Sequence, residues 1–204
     1  MLRKINAYMQ LSRLNLKPLL VSVLCLLSAW LVQLHAQEWN TARLSVLYGN
    51  NVPFNFSNLA RIKEGININV GTRFGITITN LAVPGHDNIS GFVLYFRAFN
   101  NQTHLKSAVA QLPLDVVKVK ADNFLGLESG SSYGYVPLAT DWTPLFIYDN
   151  PLMWTNLNWA NHQLTVSYTC GVPDALGNGG LMGEIPDFYN VEIEFELVPL
   201  FNGI

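Results

Sequence analysis

Charge is scarce in this sequence. Among 204 residues only 12 are lysine or arginine and 14 are aspartate or glutamate, a formal net charge of −2. Nucleic-acid binding rests on lysine and arginine meeting phosphate, so nucleic acid is not an expected partner. Histidine and cysteine are rarer still, at four and two residues. A zinc site needs three or four converging ligands, and His86, His104 and His162 stand at no recognisable ligand spacing. The sequence therefore implies no metal and no other cofactor. Beyond residue 36 the only cysteine is Cys170, so no disulfide can form within that part of the chain. Cys170 continues the alternating phase of Leu164, Val166 and Tyr168, which reads as a small core hydrophobe, not a reactive thiol.

Recognisable catalytic patterns are lacking too. A serine nucleophile wants a motif such as G-x-S-x-G on a strand-to-helix turn. The nearest stretch, residues 126–132, has no such context and reads as a flexible loop. The glycine-rich residues 171–180 lack the lysine and following helix of a phosphate loop. There is no long amphipathic helix, no repeat of fixed period and no low-complexity tail.

What is present begins with a leader. Arg3, Lys4, Arg13 and Lys17 form a basic, acid-free start, followed by an apolar run over residues 19–34. Sixteen residues fall short of the about 20 that a membrane span needs and suit a signal peptide. Leu34-His35-Ala36 approximates a cleavage site, which predicts a signal peptide over 1–36 and a single domain over 37–204. Export to the periplasm, cell surface or medium follows. An uncleaved leader is the alternative, and the only expected membrane contact. Removing those four basic residues leaves eight against fourteen acids, a net charge of −6.

The rest of the chain is half hydrophobic overall and alternates. Val191, Ile193, Phe195 and Leu197 interleave with Glu192, Glu194 and Glu196 without a fault, the signature of a half-buried strand. Similar but weaker patterns occur around Leu44–Tyr48, Val52–Phe56, Ile66–Val70, Phe74–Thr79, Phe92–Phe99, Leu114–Val119, Tyr133–Leu138, Leu145–Tyr148 and Gln163–Cys170. Residues 92–99 are apolar on both faces and belong at the centre of a sheet. One short helix is expected over 57–65, capped by Ser57 or Asn58 and ended by Gly65 in the left-handed conformation. Ala121-Asp122-Asn123 reads as a turn. Nine or ten strands without a long helix predict an all-β fold, an antiparallel β-sandwich, Ig-like or related, with a barrel as the alternative.

Gln163-Leu164-Thr165-Val166-Ser167-Tyr168, a Gly-rich loop, and Phe188-Tyr189-Asn190-Val191-Glu192-Ile193-Glu194-Phe195 together resemble the closing hairpin of secreted bacterial surface and fimbria-type β-sandwich proteins. Those often end in a Gly-x-Tyr turn and a Thr-Val-alternating strand. Here Gly183 lies five residues ahead of the aromatics, and the paired cysteines of many such subunits are absent. The resemblance spans about 35 residues and implies an extracytoplasmic structural or adhesive role.

Three functional readings follow. The first is an exported, non-enzymatic surface structural or adhesion component, with residues 37–48 adding a strand to a neighbour's sheet edge. The second is a carbohydrate-binding module built on Trp142, Tyr148, Asp149, Trp154, Asn156 and Trp159, whose rings can stack on sugars while amides bind hydroxyls. The third is a hydrolase of unrecognised type. Glu192, Glu194 and Glu196 lie roughly 6.5–7 Å apart along a strand, a spacing inverting glycosidases use, but an alternating glutamate row is more simply a solvated face. Lys118 and Lys120 are expected near it. Asn55, Asn88 and Asn101 open N-x-S/T triplets that match the N-glycosylation pattern.

Overall fold

The computed structural model describes residues 40–80, 87–150, 156–175, 177, 179–185 and 187–202. The leader and its cleavage site, His86 with its Pro84-Gly85 turn, and Trp154 lie outside these residues. The described residues form eleven strands: β1 Asn40–Tyr48, β2 Ile66–Asn80, β3 Asn88–Ala98, β4 His104–Lys106, β5 Gln111–Pro113, β6 Val117–Leu125, β7 Ser131–Ser132, β8 Val136–Pro137, β9 Thr143–Asp149, β10 Gln163–Cys170 and β11 Ile193–Asn202. They form a five-stranded sheet ordered β1-β2-β10-β6-β8, a four-stranded sheet ordered β11-β3-β9-β7, and the small hairpin β4-β5. All strand pairings are antiparallel. The fold is an all-β sandwich.

The alternation of the sequence explains the two layers. Phe74, Ile76 and Ile78 of β2, Leu164 and Val166 of β10, and Val119 and Ala121 of β6 are buried between the sheets. Phe92, Leu94 and Phe96 of β3 and Phe146 of β9 face them. Phe195 of β11 closes the side of this core, meeting Phe74 edge-on at 4.9 Å between ring centroids and stacking near Phe96 at 6.4 Å. Such pairs add about 0.5–1.5 kcal/mol beyond their buried area. Val191, Ile193 and Leu197 also pack against the core, as their phase requires. Strand β3 is buried on both faces and sits between β11 and β9, the central position expected of it.

The helix α1, Leu59–Glu64, forms where the capping signals place it. The Asn58 side chain accepts from the Arg61 amide at 2.9 Å. Gly65 ends the helix at φ 76°, ψ −177°, a positive φ that favours glycine but not the left-handed helical geometry expected.

Several expectations change. The runs at 66–70 and 74–79 are one strand, β2, interrupted by a bulge: Val166 and Tyr168 of β10 face Thr72 and Ile68, so β2 carries two extra residues there. Val70 takes φ 60° in this bulge, an uncommon conformation for a β-branched residue. Ala121-Asp122-Asn123 is not a turn but part of β6; Asp122 faces outward to Lys120 at 3.0 Å. The strand expected from Leu114 begins instead as a 3₁₀ turn, Leu114–Val116. Val52, Phe54 and Phe56 pack against the core from an extended segment that pairs with no strand. The closing hairpin is not formed, because β10 and β11 belong to different sheets. For the same reason Lys118 and Lys120 do not meet the glutamates; Glu194 pairs with Arg97 at 3.0 Å. Asn88 is buried at the start of β3, which removes it as an accessible glycosylation site in the folded chain.

Candidate ligand-binding face

The aromatic and polar residues grouped by sequence are dispersed by the fold. Trp142 precedes β9 on the outer face of the four-stranded sheet, where the Arg97 guanidinium lies 4.3 Å from its ring centroid. Arg97 also holds Glu194, so Trp142 is the floor of an ion pair. Tyr148 turns into the core and stacks on Phe92 at 5.7 Å. Asp149 is exposed at the far end of β9, opposite Gly91. Asn156 accepts from the Asn80 amide at 2.7 Å and so ties the segment before β10 to the end of β2. Of the five described residues Trp159 alone is on the outer face of the five-stranded sheet, and the fold does not assemble these five into one platform.

A different face emerges around Trp159. Outward-facing Gly75 of β2 has no side chain, and the Trp159 turn crosses directly over it. A Cβ at position 75 would lie 2.9 Å from Trp159 Cβ and 3.2 Å from Leu47 Cδ1. The turn is fixed by its own bonds: Asn158 Oδ1 accepts from Ala160 at 2.9 Å, and Gln163 donates to the Trp159 and Ala160 carbonyls at 3.2 Å. Trp159 is left 51% exposed.

Two residues along β2 from Gly75, Arg73 extends across β10 towards β6, where its guanidinium lies 3.7 Å from the Phe124 ring centroid. The small side chain of Thr165 lies between the two strands' partners, Arg73 on one side and Asp122 on the other. A bulky residue there would block the crossing. Phe124 is 46% exposed and Leu125 beside it 43%. Further along β6, the Lys120 ammonium is 6.0 Å from the Tyr135 ring centroid. Such cation–aromatic contacts contribute about 0.5–1 kcal/mol each at exposed sites. They order the rings without burying them.

The result is a sheet face with exposed aromatic rings held by cations. Sequence reasoning missed it because its parts are distant in the chain: Phe124 and Trp159 share a surface only through the register Gly75↔Gln163↔Leu125. The interruption of β2's Ile-Thr alternation by Gly75 was the one local sign. A second exposed apolar group, Val109, Met182, Ile185 and Phe188, sits on the β4-β5 turn and the loop before β11. Asp187 holds that loop. The Ser107 hydroxyl and the Phe188 amide, at 2.7 Å, bond its carboxylate and keep it charged below its ordinary value of 3.8.

The thiol beneath this sheet face is inert. Burial pushes the Cys170 thiol up to about 12, so it stays protonated and is no nucleophile at neutral pH. His162 is held by Asn158 through Nδ1 at 3.0 Å, and His104 is exposed beside Thr103. Among the described residues no helix is long and apolar enough to cross a membrane. Comparison of the chain with protein-family models and with curated proteins finds no match, so the reading of this face rests on its geometry.

Proposed function

We propose that this protein is an exported, non-enzymatic β-sandwich that acts as a surface adhesion component, making contact through the outer face of the five-stranded sheet. One observation carries the reading: Trp159 and Phe124, flanking Arg73, stand half-exposed on a sheet face. Large rings on a strand surface are normally turned inward, and an exposed aromatic cluster marks a contact site. The basic, apolar start of the chain supports export.

The magnitude fits adhesion. Leu47, Trp159, Phe124 and Leu125 are each about half exposed. Covering the remainder of each gains roughly 0.8–1.5 kcal/mol, about 3–6 kcal/mol in all. Set against the cost of association, that gives weak single contacts, in the millimolar range or weaker. Surface proteins displayed in many copies convert such contacts into firm attachment.

The test is binding of the fluorescently labelled protein to intact cells, comparing wild type with the double variant Trp159→Ala, Phe124→Ala. Both side chains are half-exposed, so the variant should melt within a few degrees of wild type while cell binding drops at least tenfold. Undiminished binding by a folded double variant would exclude this face.

Self-association is a second reading with its own observation. Strands β1 and β11, nine and ten residues long, are the end strands of their sheets, and no other described strand pairs with their outer edges. Strand β1 pairs with β2 of its own chain, so a neighbour's strand would have to add to its second edge. A protein that stays monomeric at high concentration in size exclusion would count against it.

A further inference from the structure

We infer that the ligand of the five-stranded sheet's outer face is an anionic polysaccharide, its sugar rings lying on Trp159 and Phe124 and its carboxylate or sulfate groups meeting the cations around them. This rests on the adhesion reading and names the ligand class for the same face.

Charge complementarity points to this ligand class. Outside the leader the chain carries eight basic residues against fourteen acidic ones. Yet four of those eight project from this single face: Arg43 of β1, Arg73 of β2, and Lys118 and Lys120 of β6. Their outward direction follows from the strand phase. Leu44, Phe74, Val117, Val119 and Ala121, the residues next to them, pack in the core. Among these strands one acid shares the face, Asp122, and it is taken by Lys120 at 3.0 Å. Arg43, Arg73 and Lys118 have no ion-pair partner among the described residues. Outside the leader, this predominantly acidic chain has thus placed four of its eight cations on a sheet face that also exposes Trp159 and Phe124.

The spacing selects the ligand. Arg43 and Lys118 stand on strands separated by three inter-strand steps, β1 to β2 to β10 to β6, about 14 Å. A polymer carrying one charge per sugar or fewer can match cations so spread. A nucleic acid, with a charge every 1.7 Å or so of duplex axis, demands denser positive charge than these four residues supply. Arginine is suited to this task, since a guanidinium stacked on Phe124 still offers its fork to a carboxylate or sulfate. Its Nε is buried and has no hydrogen-bond partner among the described residues, so the side chain is held by the ring and not by a protein acceptor.

The test measures retention of the full-length purified protein on polygalacturonate, on methyl-esterified polygalacturonate, on dextran sulfate and on single-stranded DNA. The esterified polymer keeps the sugar backbone and loses its charge. Wild type should bind polygalacturonate, dextran sulfate or both at least tenfold better than the ester, and lose that binding between 50 and 500 mM salt, values of the order at which screening shortens below the contact distances. Arg73→Gln should weaken binding about tenfold and Lys120→Gln about threefold. Trp159→Ala should weaken it with little change in salt dependence. The carboxylate and sulfate arms say which anion is preferred. Equal binding of the ester, still sensitive to Trp159→Ala, would overturn the anionic class and leave the adhesion face standing. Binding to any polymer that ignores all three substitutions would overturn both. Preference for DNA, or failure to bind either charged polysaccharide, would overturn the inference.

Discussion

At the scale of single residues, burial sets the chemistry. Tyr168 and Cys170 follow each other on the core face of β10, and burial pushes each up to about 12, from ordinary values of 10.0 and 9.0. The Tyr168 hydroxyl keeps one partner, Thr72 Oγ1 at 2.9 Å, which pulls its value slightly back. Both groups are neutral when protonated and have raised folded values. Their contribution to stability is therefore intact below about pH 9 and is lost as pH rises from there towards 12, because the unfolded chain ionises first. Urea midpoints should be level from pH 7 to 9 and fall by pH 10.5. The variant Tyr168→Phe, Cys170→Ala should show a visibly flatter decline from a lower starting stability, since the buried Tyr168–Thr72 bond is lost and Thr72 keeps only the Gly49 carbonyl at 2.6 Å. An identical slope in wild type and variant would mean that other groups govern the alkaline limit. Such burial was legible in the sequence, where Leu164, Val166, Tyr168 and Cys170 keep one phase. Residues whose role depends on a distant strand were not. Nothing near Arg73 in the chain announces Phe124 as its neighbour.

At the scale of elements, alternation was a sound guide wherever the strand followed one phase throughout. Gln163–Cys170 coincides with β10, and the glutamate-rich run lies in and just before β11. It failed where geometry inserts or conceals a residue. The bulge at Val70 split β2 into two apparent strands. Asp122 and Asn123 looked like a turn, yet one faces solvent and the other accepts from the Leu127 amide at 3.1 Å. The β4 and β5 strands are three residues each, too short for any period to register. Strand β11 is the element on which the second sheet most depends. It pairs with β3 along its whole length and supplies Phe195 to both Phe74 and Phe96. Val191, Ile193, Phe195 and Leu197 are each partly buried, worth roughly 1–2 kcal/mol apiece, or about 4–8 kcal/mol together. That matches the whole stability of many domains of this size, about 5–15 kcal/mol. A chain ending at Asn190 should therefore show no cooperative thermal transition. A soluble truncation with a sharp transition would show that β3 can form the edge of the sheet unaided.

At the scale of the molecule, the two outer faces differ in kind. On the four-stranded sheet, Arg97 is neutralised by Glu194 and its aromatic partner Trp142 is largely covered. On the five-stranded sheet, Arg73 has a ring and no acid, and Trp159 is half-exposed. The sandwich class could be argued from the sequence because strands announce themselves locally. Which face carries the site could not, since it depends on which strand pairs with which. The five described residues among those singled out by proximity in the chain, Trp142, Tyr148, Asp149, Asn156 and Trp159, end on both outer faces, in the core and at the sandwich ends. If the proposed site is right, contact is made on the five-stranded side alone. The most direct measurement is a titration of the isotopically labelled protein with polygalacturonate, following the tryptophan indole N–H signals, with assignments from Trp142→Phe and Trp159→Phe. The Trp159 signal should shift progressively while the Trp142 signal stays fixed. A shift at Trp142 with Trp159 unmoved would contradict it.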